Sequence, residues 1–231
     1  MFRPRLALGL WLACLLAGAG MLSAALGIVV ADAATLTAAG TAGGDWVSTV
    51  AAWCGLAVLG CLAAAVGAAA ASASADARPY DDALTRLAAS PESRVVRDGV
   101  EVLVIAGTPG LTALVDPAGR GRVLVGSEFA RALGSAGFEA AVAHEVAHVR
   151  GRHTLLLRAA RLTAVAFSRV PRGLHFEQAV RTLVELIADD AAVRRCGRDA
   201  VREALAVQAR FAPGCSAELR AQRLYSPFYV L

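Results

Sequence analysis

The chain has no lysine; every one of its 23 lysine-or-arginine positions is arginine. A Ser-x-x-Lys acylation site is therefore excluded, because it needs a lysine amine beside the nucleophile. Cysteine is scarce: Cys14, Cys54 and Cys61 fall inside apolar runs, which leaves Cys196 and Cys215 outside them. No Cys-x-x-Cys pair exists, so neither a thiolate zinc site nor a disulfide framework is indicated, and reduced thiols suit a cytoplasmic domain. The net charge is only +4 and the arginines are spread among acids, which gives no basic surface for nucleic acid.

Charge is scarcest near the N-terminus. Residues 6–30 carry none, and this run exceeds the roughly 20 residues needed to cross a bilayer. Ala31-Asp32-Ala33 resembles a signal-peptide cleavage site, but the apolar core of a signal peptide is only about 7–15 residues long, so an uncleaved anchor is expected. Residues 46–71 form a second uncharged run, richer in Ala and Gly, in which Gly55, Gly60 and Gly67 would permit close packing on the first. Arg3 and Arg5 precede the first run, and Arg78, Arg86, Arg94 and Arg97 follow the second. Between the runs stand only Asp32 and Asp45. The positive-inside rule then places both ends in the cytoplasm, as in a multi-pass cell-membrane protein.

The remainder reads as a domain over residues 76–231, after an anchor over residues 1–75. Residues 72–76 read as a linker and residues 79–89 as a short amphipathic helix. Apolar runs at residues 100–105, 111–115 and 123–125, separated by Pro109-Gly110 and Pro117-Ala118-Gly119, predict a small antiparallel sheet. Residues 123–125 read either as a plain core strand or, by the logic of strand addition, as an edge strand that could pair with an extended partner. Ser127 is expected to cap a helix through Leu133. Residues 154–170 read as an amphipathic helix packed on the domain or lying on the anionic inner leaflet, because arginines near a bilayer centre are costly. Helices are also expected from Phe176 to Gly197 and over residues 199–211.

The chemistry concentrates in Ala143-His144-Glu145-Val146-Ala147-His148. On a helix, residues four apart lie about 40° apart around the axis, so His144 and His148 point the same way and can share one metal ion. Glu145 leans toward the same side and can take a proton from water. Phe138, Val142, Val146 and Val149 give this helix a buried face, with Ser135 a plausible start and Gly151 a plausible stop.

Catalytic zinc usually takes three protein ligands. Six residues after His148, where some zinc peptidases carry a third histidine, stands Thr154. His153 would lie about 180° from His144 on a continuous helix and needs a break at Gly151 to come round. His175 has no spacing in its favour. Glu185 has more support: it stands on an apolar-faced helix with Asp189 four residues on, so both carboxylates share one side. Glu185 can then be the third ligand, and Asp189 can accept the N–H of a ligand histidine.

His144 to His148, Arg152-His153 and Glu185-x-x-Ala188-Asp189-Asp190 together resemble the zinc metallopeptidases of the BlaR/MecR type. Less closely, they resemble the HtpX and CAAX-prenyl-protease group. The likeness spans about residues 95–225. It implies an α+β chain: two transmembrane helices, then a mainly helical zincin-like domain with Zn2+ on His144, His148 and Glu185. It further implies Glu145 as general base and Asp189 behind a ligand. Residues 217–224 resemble a C-terminal Arg-Leu segment of these peptidases, which by itself assigns no role to Arg223. His153, His175, Arg172 and Tyr225 are the candidate oxyanion donors. The penicillin-binding sensor domain of BlaR-type receptors is not read here, and the spans are fewer. The expected partners are a protein or peptide substrate, such as a transcriptional repressor, and the lipid bilayer. Alternatives are an HtpX-like quality-control protease, a membrane protein with a purely structural zinc site, or helix faces that hold no metal.

Overall fold

The structure is a computed structural model that describes residues 4–38, 46–106, 111–115, 121–166, 173–211 and 216–225. Its elements run α1 (Pro4–Ala38), α2 (Trp46–Leu87), β1 (Ser93–Arg97), β2 (Val100–Ile105), β3 (Leu111–Val115) and β4 (Gly121–Gly126). Then follow α3 (Ser127–Arg150), α4 (His153–Ala166), α5 (Gly173–Cys196), α6 (Arg198–Phe211) and α7 (Ala217–Tyr225). The turns at Pro109-Gly110 and Pro117-Ala118-Gly119, and Arg172, lie outside the described residues.

The sheet has the order β1-β2-β4-β3 and is mixed, not antiparallel as expected: β2 and β4 run parallel, and the outer pairs are antiparallel. The reason is burial. In β4, Val123, Leu124 and Val125 are the most apolar strand residues and are nearly inaccessible on both faces. Such a strand belongs in the middle of a sheet. Residues 123–125 are therefore not an edge; β3 and β1 are. β1 was not expected at all, although its signal was present. Asp98 and Gly99, both at positive φ, close a two-residue hairpin between Arg97 and Val100, and Asp-Gly is a favoured sequence for that turn.

One sheet face, with Val100, Val102, Val123 and Val125, packs on α3, α5, α6 and α7. Leu103, Ile105 and Leu124 on the other face meet Ala88 just past the end of α2. Arg97 fixes β1 to α3 through bonds to both carboxylate oxygens of Glu139. α3 is two helices joined at Gly134, whose φ of 63° and ψ of −177° break the run where the sequence divides it. Its N-cap is Gly126 with no side-chain bond, so Ser127 is not the cap expected. The Phe138, Val142, Val146 and Val149 face does pack into the core.

At the N-terminus, Leu6–Asp32 is long and apolar enough to cross a bilayer. Of the expected second span, the stretch that qualifies as apolar among the described residues is shorter, Ala52–Cys61. α2 also continues without interruption to Leu87, so the expected linker at residues 72–76 is helical and the boundary after residue 75 falls inside a helix. Alanine-rich sequence sustains a helix even where no core rewards it. α1 and α2 pack on each other, and their tightest approach is at Gly55, where a Cβ would stand 2.6 Å from Leu26 Cδ1. Gly60 and Gly67 face open space.

The first turns of α1 are built into the domain. Leu8 is buried with Ala160 of α4 and with Val180, Val184 and Ile187 of α5, and Trp11 and Leu12 flank this cluster. The Trp11 ring lies 4.6 Å from that of Phe176. Trp11→Ala should destabilise the detergent-solubilised chain by about 1–3 kcal/mol, less than for a fully buried tryptophan. An unchanged unfolding temperature would detach α1 from the domain.

Candidate metal centre

Two helices and a third, short one build the centre. α3 supplies His144 and His148 one turn apart, α5 crosses it with Glu185 and Asp189 one turn apart, and α7 inserts Arg220. The four-residue spacing puts each pair on one helix face. α3 and α5 pack along each other, Val142 and Val146 of α3 sharing a core with Ala192 and Val193 of α5.

His144 Nε2 lies 3.0 Å from His148 Nε2 and 3.5 Å from Glu185 Oε2. His148 Nε2 lies 3.6 Å from Glu185 Oε1. An ion bound tetrahedrally with bonds of about 2.0–2.1 Å sets its ligand atoms about 3.3–3.4 Å apart. The two Nε2 atoms and the two Glu185 oxygens, one toward each ring, stand at separations around that value, and among the described residues this is the one group of three or more His, Cys, Asp or Glu side chains that could hold a metal ion. The chain can thus hold a metal ion on His144, His148 and Glu185. The nitrogen–carboxylate donor set suits zinc among other divalent metals.

Each histidine is gripped from behind. His144 Nδ1 lies 3.0 Å from Asp189 Oδ1, as the spacing of Glu185 and Asp189 predicts. His148 Nδ1 lies 2.9 Å from His153 Nδ1. His153 reaches this place because α3 stops at Gly151 and Arg152 takes a positive φ of 49°, which turns α4 back. It is 4 % exposed and touches the far nitrogen of His148. It is therefore neither a third ligand nor a group aimed at a bound carbonyl. Gly151 has an ordinary helical φ of −74°; it matters for space, because a Cβ there would run into the His153 ring.

The other oxyanion candidates are placed elsewhere. His175 is exposed in the first turn of α5, about 15 Å along the axis from Glu185 at the helical rise. Tyr225 is exposed, with the Arg202 guanidinium 3.5 Å above its ring. Glu145 is half-buried beside His144, near enough to Arg220 for its charge to raise the guanidinium pKa.

Sequence reasoning passed over Arg220. Its Nε and Nη2 donate to the two carboxylate oxygens of Asp189 at 2.8 and 2.5 Å, and its Nη1 lies 2.8 Å from Glu185 Oε2. Arg223, one turn on, donates to Asp190 at 2.8 Å. The signal was the Arg220-x-x-Arg223 spacing on a short segment, set against Asp189-Asp190.

Burial and charge set the protonation of this cluster. Burial disfavours a charged His144, but hydrogen bonds to Asp189 and Glu185 outweigh it and raise the pKa to about 9. Burial, then the charge of His144, lowers His148 to about 3. Burial would raise Glu185 and Asp189, yet His144 and Arg220 hold both below the usual carboxylate range. Without metal the centre is an imidazolium and a guanidinium facing two carboxylates.

Comparison of the chain with protein-family models, curated proteins and solved structures finds no match.

Two outcomes follow. Metal ligation needs a neutral imidazole, and His144 is protonated below about pH 9. Zinc uptake at pH 7 should therefore release one proton from His144, and affinity should fall about tenfold per pH unit below 9. Zinc titration with a pH indicator measures this, and a proton-free uptake would contradict it. Gly151→Ala should displace His153 and weaken zinc binding about tenfold or more, as loss of support behind a ligand does, read by competition with a chelator.

Proposed function

We propose that the protein is a membrane-anchored zinc endopeptidase of the Glu-ligand type, acting on a protein at the cytoplasmic face of the membrane. The observation that carries this reading is the convergence of His144 Nε2, His148 Nε2 and the Glu185 carboxylate, one oxygen toward each ring, with Glu145 adjacent. The resemblance to BlaR/MecR-type peptidases points the same way.

His144, His148 and Glu185 hold the ion, and Asp189 and His153 fix the two rings. Bound zinc supplies Lewis acidity toward the scissile carbonyl and makes water acidic near neutral pH. The Glu145 carboxylate accepts a proton as water adds to the carbonyl carbon. It then delivers that proton to the departing amine nitrogen as the peptide bond breaks. β3, an edge strand of the sheet among the described residues and close to α3, would offer its outer backbone groups to an extended substrate.

The packing of α1 supports the membrane placement. Its N-terminal turns touch α4 and α5, which favours a domain on the same side as Arg3 and Arg5, the side that the positive-inside rule assigns to the cytoplasm. The substrate class suggested by resemblance is a transcriptional repressor, making the proteolysis regulatory. A second reading, HtpX-like quality control of membrane proteins, draws on the contact of α5 with the first turns of a spanning helix. That contact sets the centre close to the bilayer surface.

Glu145→Gln should bind zinc as the parent does and lose cleavage of an unfolded protein substrate by about a hundredfold or more, the scale of general-base catalysis. Zinc content by atomic absorption and product analysis measure the two. A fully active variant overturns the mechanism, and a parent chain that takes up no zinc overturns the function.

A further inference from the structure

Arg220 stands on α7, apart from both ligand-bearing helices, yet it is 6 % exposed and its guanidinium reaches both of their networks. Two of its nitrogens take the two oxygens of Asp189, and the third takes Glu185 Oε2 at 2.8 Å. Through Asp189 it also grips His144 Nδ1. One planar, always-charged fork thus ties the α3 ligand to the α5 ligand. A lysine ammonium, a point charge on a flexible stem, does not match this three-way geometry.

We infer that Arg220 is a positioning residue that holds Glu185 as a one-oxygen ligand and so keeps a coordination position open for substrate and water; this rests on the zinc-peptidase reading. A carboxylate can bind a metal through one oxygen or chelate through both. The guanidinium hydrogen bond occupies Oε2, a charge-assisted contact among the stronger kinds. Oε1, on the His148 side at 3.6 Å, remains as the donor. Catalytic zinc carries water beyond its three protein ligands, and a chelating Glu185 would take up the further position that the substrate carbonyl needs. Charge agrees with this arrangement. A dication plus one guanidinium balances Glu145, Glu185 and Asp189, whereas without the arginine the centre carries surplus negative charge, which weakens the Lewis acid.

The test uses the full chain in detergent, loaded with cobalt(II) as a spectroscopic probe. The parent should show the strong visible absorption of four-coordinate cobalt. Arg220→Met should show the weaker absorption of five-coordinate cobalt, with kcat down about 10- to 100-fold, the range for lost support behind a metal ligand, and KM little changed. Arg220→Ala should regain the parent spectrum and part of the rate when guanidinium chloride is added at non-denaturing concentration. Arg220→Lys keeps the charge and serves where the apolar variants do not fold; it too should lose at least tenfold in kcat while unfolding cooperatively. A folded Arg220→Met with the parent spectrum and rate, or a fully active Arg220→Lys, overturns the inference. A parent chain that binds neither cobalt nor zinc instead overturns the peptidase reading, and the two failures are distinct.

Discussion

The structure depends on neutralising charge inside a helix crossing. His144, Asp189 and Arg220 are all nearly inaccessible, and each alone would cost several kcal/mol to bury as an ion. Together they are tolerable because every charge faces an opposite one within hydrogen-bond distance. This constraint fixes where α3, α5 and α7 meet. It also explains why a nine-residue helix at the end of the described chain is held firmly: Arg220 and Arg223 enter the two adjacent aspartates of α5 from the same side.

Such a cluster is poised rather than rigidly satisfied. His144 and His148 share a nitrogen–nitrogen contact of 3.0 Å, and proximity of like rings makes one of them surrender its charge. Metal entering between them would replace a proton-mediated arrangement by a coordinated one without moving either helix. The contacts of Asp189 and His153 are to the far ring nitrogens of the two histidines and can persist in both states.

What was legible in the sequence was local. The pairs His144/His148 and Glu185/Asp189 and the apolar faces behind them all follow from helical periodicity, which spans one or two turns. The return of His153 was legible only as a condition, since it depends on the backbone at Gly151 and Arg152. Sheet order was not legible, because turn residues say where strands end and not which neighbour each one takes. β4 moved to the middle because its Val-Leu-Val core is buried on both faces. Arg220 was left without a role because its meaning lies in a contact to Asp189, thirty-one residues away in sequence; the spacing to Arg223 was visible, but not the partner it served. The second span illustrates the reverse error: an uncharged Ala- and Gly-rich run is long without being strongly apolar.

The packing of Leu8 and Trp11 against α5 has a consequence for synthesis. The first helix, long and apolar enough to cross a bilayer, leaves the ribosome long before Val180, Val184 and Ile187 exist to cover its first turns. Every metal-binding side chain is encoded still later than α1 and α2. A nascent chain therefore lacks Glu185, Asp189 and Arg220 through most of translation, and the metal-binding cluster closes only once α7 has been made.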